Sequence, residues 1–195
     1  QNVEEVEKDF ITEQVSMSEI NMNKKITFSS VDFKYRVGNS RVSALKNLDL
    51  TLYKGEKIAL IGQSGSGKTT FLKVLHGLYE DVQGEIVVDD AKINKQLHEI
   101  DLGTTLVPQE PELFSSSVTE NITFGLDYTE EQIRKVTDLA MFTQTAEALP
   151  QGFDSKINEK GVNLSGGQKQ RLTLARSFHH PHKILLLDDV TSAVD

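Results

Sequence analysis

The segment that decides the fold is Gly62-Gln63-Ser64-Gly65-Ser66-Gly67-Lys68-Thr69, which matches the pattern G-x-x-x-x-G-K-[ST]. Its glycines allow successive backbone N–H groups to turn toward one anion. The apolar run Lys57–Ile61 before it predicts a strand buried on both faces, and a helix is predicted from Thr70 to Leu78. Because a helix N-terminus adds partial positive charge, the region from Gly62 to Thr70 predicts a site for the phosphates of a nucleoside triphosphate.

The same pattern suggests roles for individual side chains. Lys68 can reach the β- and γ-phosphates, and the Thr69 hydroxyl can ligate Mg²⁺. A carboxylate that anchors the metal is predicted at Asp188, because the end of a buried strand, here Ile184–Leu187, lies at the ligand-binding edge of an open α/β sheet. An ordinary glycine-rich turn would account for the loop alone, but not for the predicted strand and helix that flank it.

Composition narrows the class of protein. The 195 residues can form one sizeable domain with a hydrophobic core. With 21 Lys and Arg against 29 Asp and Glu, the net charge of -8 argues against general nucleic-acid binding, which needs clustered cations. The chain has no cysteine, which excludes disulfides and thiolate metal sites, and no apolar stretch approaches the ~20 residues of a membrane-spanning helix.

The remaining patterns predict a mixed α/β protein. Alternating apolar residues predict strands within Ile26–Tyr53, and further short strands are predicted at Gly84–Val88 and Thr104–Val107. One helix is predicted to begin after Thr129, where Gln132 completes a capping box, and another to run from about Ser165 to the residue before Pro181.

Further motifs resemble the ATP-binding cassette (ABC) family. Ser165-Gly166-Gly167-Gln168 resembles the centre of its signature motif, which in that family reaches the γ-phosphate held by a partner cassette. Gln109 resembles the Q-loop residue that ligates Mg²⁺ and senses the transport domain, and Ser192–Asp195 resembles the D-loop at the dimer seam. Tyr35 lies where the family stacks the adenine ring on an aromatic side chain, although plain strand packing is the alternative.

This resemblance implies a domain organisation. The expected fold is an α/β P-loop NTPase core with a mainly parallel sheet, an N-terminal antiparallel β subdomain and an inserted α-helical subdomain at about residues 111–180. The ABC nucleotide-binding domain would span 24–195, after an acidic linker from a transmembrane domain at 1–23. The segments Glu110–Phe114 and Asn158–Gly161 resemble those of exporter cassettes.

Two departures from the family pattern modify the expected activity. Most members carry a Glu that polarises the attacking water, where this chain has Asp189. The shorter side chain would place the carboxylate about 1.5 Å farther back, and a displacement of this size can lower the rate of hydrolysis about a hundredfold. Asp here resembles the degenerate site of heterodimeric exporters, although backbone adjustment could let Asp189 work normally. The chain also ends at Asp195, before the family's next strand and switch histidine, so the resemblance implies a truncated cassette with weak or no hydrolysis alone.

The resemblance also implies partners. The expected ligand is Mg-ATP, and the expected partners are a second cassette, with a heterodimer favoured over a homodimer, and the transmembrane domain of an exporter. The location implied is the cytoplasmic face of the cell (inner) membrane, with membrane contact only through that domain. Two alternatives remain open, a non-hydrolysing ATP-dependent dimerisation module and a soluble ABC ATPase of DNA repair or translation.

Overall fold

The protein is a mixed α/β chain that divides into two compact units, and a computed structural model describes residues 18–19, 23–79, 81–93, 100–101, 103–157, 164–180 and 182–190. The first unit, here the antiparallel unit, lies within 1–59 and 77–102. The second, here the phosphate-loop unit, lies within 60–76 and 103–195. Among the residues described, no helix is long and apolar enough to cross a membrane.

The antiparallel unit is built on a four-stranded sheet with the order β3-β2-β4-β5. Its strands are β2 (Lys25–Val37), β3 (Ser40–Tyr53), β4 (Gln83–Val88) and β5 (Ala91–Lys92), and all adjacent pairs are antiparallel. A separate parallel pair joins β1 (Ser18–Glu19) to β6 (Ile100–Asp101). The predicted antiparallel β subdomain is therefore confirmed, and Ser18–Glu19, inside the predicted linker, forms a short strand.

Apolar side chains that alternate with polar ones along the strands form the core on one face of this sheet. Ile26, Phe28, Val31 and Phe33 of β2 are buried together with Ile86 and Val88 of β4, whereas intervening polar residues are more exposed. The step from Phe28 to Val31 breaks strict period two, and a register shift occurs between these residues. Ser30 adopts a positive φ of 48° at this irregularity, which lets the apolar face continue on both sides of it.

The phosphate-loop unit combines a parallel strand pair with helices. β7 (Thr104–Val107) and β8 (Ile184–Leu187) pair in parallel, so both predicted strands are confirmed. The helix predicted at Thr70–Leu78 is α1 (Lys68–Leu75), which begins two residues earlier and ends three earlier. The His76 ring and the Thr104 hydroxyl lie 2.7 Å apart, which ties the end of α1 to the start of β7.

The remaining helices surround a second core. They are α2 (Val118–Thr123), α3 (Glu130–Leu139), α4 (Thr143–Glu147) and α5 (Gly166–His179), with a 3₁₀ turn at Gly152–Asp154. Both capping-box residues predicted for α3, Thr129 and Gln132, are hydrogen-bonded as expected. Fully buried Ile122, Phe142 and Leu172 lie at the centre of this cluster, and their burial holds the helices together.

One predicted strand is wrong. Residues 57–61 are in no strand of the described part of the chain, and Ile58 and Ile61 are 44% and 93% exposed. An apolar run indicates that burial is favourable, but a strand also requires a neighbour to accept its hydrogen bonds. Among the described residues, β7 pairs with β8 alone, and neither strand pairs with this run.

Candidate functional site

The glycine-rich segment forms a tight loop that leads directly into α1. Gly67 is the N-cap of α1 with φ 93°, and Gly65 has φ 79°, conformations in which a side chain would be strained. Ser66 N donates to Gln63 O at 3.2 Å within the loop. The first hydrogen bond of the helix runs from Phe71 N to Gly67 O, so the N–H groups of the preceding turn face the loop.

Lys68 crosses this loop. Its Nζ donates to Gly62 O at 2.8 Å and Gln63 O at 2.9 Å, and lies 3.4 Å from Ser66 Oγ. All three acceptors are uncharged, so the loop supplies no carboxylate to compensate the ammonium charge. A cation beside a helix N-terminus gives this end of α1 the electrostatics of an anion site.

Thr69 and Asp188 meet at the end of the parallel sheet. Thr69 Oγ1 donates to Asp188 Oδ1 at 2.8 Å, and Asp188 is only 8% exposed. Asp188 N also donates to Val107 O at 3.0 Å, which extends the backbone pairing one residue beyond β8. The phosphate loop and the predicted carboxylate strand are thus joined directly through their side chains.

Gln109 and Asp189 form a second pair at the same edge. Val107 and Leu187 are register partners at the ends of β7 and β8, so the residues that follow them emerge side by side. Gln109 Nε2 donates to Asp189 Oδ2 at 3.1 Å. Asp189 adopts a positive φ of 49°, which an aspartate tolerates better than most residues with a side chain.

The oxygen atoms at this edge suit a hard divalent cation. Thr69, Gln109 and Asp188 contribute hydroxyl, amide and carboxylate oxygens, the ligand types that Mg²⁺ prefers. They do not form an all-carboxylate cage, and within the described residues no group of three or more His, Asp or Glu side chains could hold a metal. The set fits a metal that is shared with substrate phosphates and water.

The signature-like segment caps α5. Ser165 Oγ accepts from Gln168 N at 3.3 Å, and Ser165 N donates to Gln168 Oε1 at 2.9 Å. Ser165 and Gly166 are exposed and Gly167 is half-buried, so this helix N-terminus is open to solvent. The predicted helix start is confirmed, and the capping box orients its first turn.

Tyr35 lies in an aromatic cluster of the antiparallel unit. Its ring makes edge contacts with Phe33 and Tyr79 at centroid distances of 5.0 and 5.6 Å, and its hydroxyl lies 3.1 Å from the Tyr79 hydroxyl. Burial and this hydrogen bond raise the pKa of Tyr79 to about 12. Tyr79 was not predicted, because nothing in its local sequence distinguishes it from a packing residue.

Three of the predicted segments lie wholly or mostly outside the described residues. The D-loop-like Ser192–Asp195 and the exporter-like Asn158–Gly161 lie outside the described residues, as does most of the acidic segment 1–23. The helix predicted to end before Pro181 does so, since His179 is the last residue of α5 and His180 its C-cap.

Similar proteins identify the family. A protein-family sequence model described as ABC transporter matches residues 45–192. ABC transporter B family member 21 of Arabidopsis thaliana is 41% identical over 172 residues, 87% of this chain and 13% of that protein. ATP-binding cassette sub-family B member 10, mitochondrial, of Mus musculus is 40% identical over 176 residues, 87% of this chain and 24% of that protein.

A solved structure supports the fold. The structure of a bacterial Atm1-family ABC exporter with ATP bound is similar with a TM-score of 0.78 and 31% identity, over 90% of this chain and 31% of that one. The chain spans 13% to 28% of the length of curated relatives such as these. Because the ABC transporter model matches well over half of its residues, the chain belongs to the ABC transporter family.

Proposed function

We propose that the chain binds Mg-ATP on residues 62–70 and pairs with a second cassette to power export across a membrane. The observation that carries this proposal is the hydrogen bond from Thr69 to Asp188, which brings a phosphate loop and a strand-end carboxylate into one site. Phosphoryl transfer requires these two parts together, because one holds the phosphates and the other anchors the metal.

Each part of the site has a role in binding. The backbone N–H groups of Gly62–Gly67 and the first turn of α1 cradle the phosphates, and Lys68 neutralises their β- and γ-oxygens. Thr69, Gln109 and Asp188 hold Mg²⁺, which when bound offsets the negative charge that develops on the phosphates. Tyr35 stacks on the adenine, and the edge contacts of the Tyr35 ring with Tyr79 and Phe33 fix its orientation.

Hydrolysis at this site is impaired under the proposal. Asp189 is the residue that would polarise the attacking water, and it is one methylene shorter than the Glu that most of the family carries. Its carboxylate is also engaged by Gln109 at 3.1 Å, which further restricts its reach. A site of this kind favours a heterodimer, in which Ser165–Gln168 of this chain completes the competent site of the partner.

The export role rests on the relatives. ABC transporters of the B family and an Atm1-family exporter are the similar proteins, and this chain corresponds to a fraction of each. The chain is accordingly proposed to work on the cytoplasmic face of a membrane, attached to a transmembrane domain. The Gln109–Asp189 contact favours a second candidate, a cassette that binds ATP and dimerises without hydrolysing it.

An arginine at Ser165 tests the paired arrangement. Ser165→Arg should leave ATP binding by this chain unchanged but weaken hydrolysis at the partner site, because the open N-terminus of α5 serves the other nucleotide. Thr129→Ala is the matched control, since it removes the equivalent capping box of α3 and controls for the loss of a cap, about 1 kcal/mol. Loss of this chain's own ATP binding in Ser165→Arg alone would contradict the arrangement.

A further inference from the structure

Arg176, on α5, lies in an unusual setting for a charged side chain. Its Nε donates to Asn121 O at 2.7 Å, one terminal nitrogen donates to Glu112 O at 2.9 Å, and the other donates to Asn121 Oδ1 at 2.9 Å. The guanidinium also lies 5.0 and 5.2 Å from the ring centroids of Phe114 and Phe124. Burial lowers the pKa of Arg176, although Glu112 opposes the effect.

The arrangement of these acceptors suits the planar shape of a guanidinium. Three donors of one planar fork reach three separate acceptors, all of them uncharged oxygens, so Arg176 cross-links segments rather than pairing with one carboxylate. Hydrogen bonds from an ionised donor are stronger than neutral ones, especially where water is partly excluded.

Asn121 extends the cross-link along the chain. It is fully buried, and its Oδ1 accepts from Phe114 N as well as from Arg176. Its Nδ2 lies within hydrogen-bond distance of Phe114 O, Ser116 Oγ and Ser117 O. One buried amide therefore fixes both backbone groups of Phe114 and closes the turn that follows it.

A second contact attaches the residue before Gln109 to α5. Gln170, also on α5 and fully buried, donates from Nε2 to Pro108 O at 3.4 Å. Within the described residues, no donor reaches its Oε1. Leaving a buried amide oxygen unpaired is costly, so packing alone does not explain a glutamine at this position. Gln109 thus lies between two points that are attached to α5, Pro108 before it and Glu112 after it.

We propose that Arg176, together with Asn121, is a positioning residue that fixes segment 110–117, and through it Gln109, to the helix that begins at Ser165. The inference rests on the proposed function, because it links the residue that contacts Asp189 to the residue offered to the partner's nucleotide. About 16 Å of helix separates Ser165 from Arg176, at 1.5 Å of rise per residue, so movement of one end of α5 displaces the other.

The test uses the full-length transporter assembled with its partner cassette and the variant Arg176→Lys, which keeps the charge but not the planar fork. Arg134→Lys is the matched control, because Arg134 makes surface ion pairs with Glu130 and Glu147 in the same unit. Three quantities are measured: ATP affinity with a fluorescent ATP analogue, turnover at saturating ATP, and amide hydrogen exchange of residues 110–117.

Arg176→Lys should leave ATP affinity within about twofold of wild type and speed exchange at residues 112–117. It should lower turnover at the partner's competent site about tenfold or more, because Ser165 of this chain is displaced there. The double variant with Gln109→Ala should be no slower than Gln109→Ala alone, because both changes disable one element. Multiplicative losses in the double variant, or unchanged turnover in Arg176→Lys, would overturn the proposal.

Gln170→Leu keeps the test decisive if Arg176→Lys folds poorly. Replacing a half-satisfied buried amide by an apolar side chain of similar size should preserve thermal stability. Turnover should nevertheless fall, because the link to Pro108 is lost, and full turnover would contradict the proposal. Failure of the wild-type protein to bind the ATP analogue would instead overturn the proposed function, and this inference with it.

Discussion

The Thr69 hydroxyl donates a 2.8 Å hydrogen bond to Asp188 Oδ1, although 119 positions separate the two residues in the chain. Thr69 lies in the first turn of α1, after the glycine-rich loop, and Asp188 follows the last residue of β8. The contact brings the two motifs together in space. It also gives each side chain an oxygen that faces the other, the arrangement from which a shared metal can be held.

Replacing Thr69 tests whether this pair holds the metal. Thr69→Val keeps the shape of the side chain but removes the hydroxyl, so the apparent affinity for Mg²⁺ in the presence of ATP should fall about tenfold or more. Thr69→Ser, which retains the hydroxyl, should bind like wild type. Titration of ATP at increasing Mg²⁺ measures the effect, and a Thr69→Val protein with normal Mg²⁺ dependence would remove Thr69 from the metal site.

Asp189→Glu tests the impaired hydrolysis. In the assembled transporter the longer side chain should raise turnover at this site by up to about a hundredfold, because it restores roughly the missing reach. Asp189→Asn has the same length as Asp189 but no charge, and it should give no gain. Phosphate release at saturating ATP, with the partner's own site inactivated, is the measurement. If Glu gives no increase, side-chain length does not limit this site.

Much of this site could be predicted from sequence, because its parts are local patterns. A glycine loop, a strand followed by Asp188 and a serine before a helix are each encoded within a few residues. Each of these features lies at the end of the helix or strand for which it was predicted. The strand at 57–61 could not be predicted correctly, since hydrophobicity does not specify a hydrogen-bonding neighbour. Arg176 and Tyr79 were missed because their partners lie far away in the sequence.

The histidines at the end of α5 predict a pH dependence. Burial lowers the pKa of His179, with a contribution from His180, and burial with the nearby Arg176 lowers that of His180. The folded state therefore favours the neutral rings more than the unfolded state, whose histidines titrate near 6.5. This contribution to stability is complete above about pH 6.5 and is lost as the pH falls from there toward the lower folded pKa.

Urea unfolding at pH 7.5, 6.5 and 5.5 measures this effect. A His179→Gln, His180→Gln double variant should lose less stability on acidification than wild type, because its side chains do not titrate. His182→Gln serves as the control, since His182 is also near the helix end and contacts His180 O at 3.0 Å. An equal loss in wild type and the double variant would assign the pH dependence to other groups.

Binding of Mg-ATP at the phosphate loop is tested most directly by calorimetric titration of wild type and Lys68→Ala with ATP and Mg²⁺. The Lys68 ammonium lies across the loop on three uncharged acceptors, so its removal takes away the main positive side chain of the site without breaking an ion pair. The site described here predicts saturable one-to-one binding by wild type and no tight binding by Lys68→Ala. Equal affinity in the two proteins would contradict it.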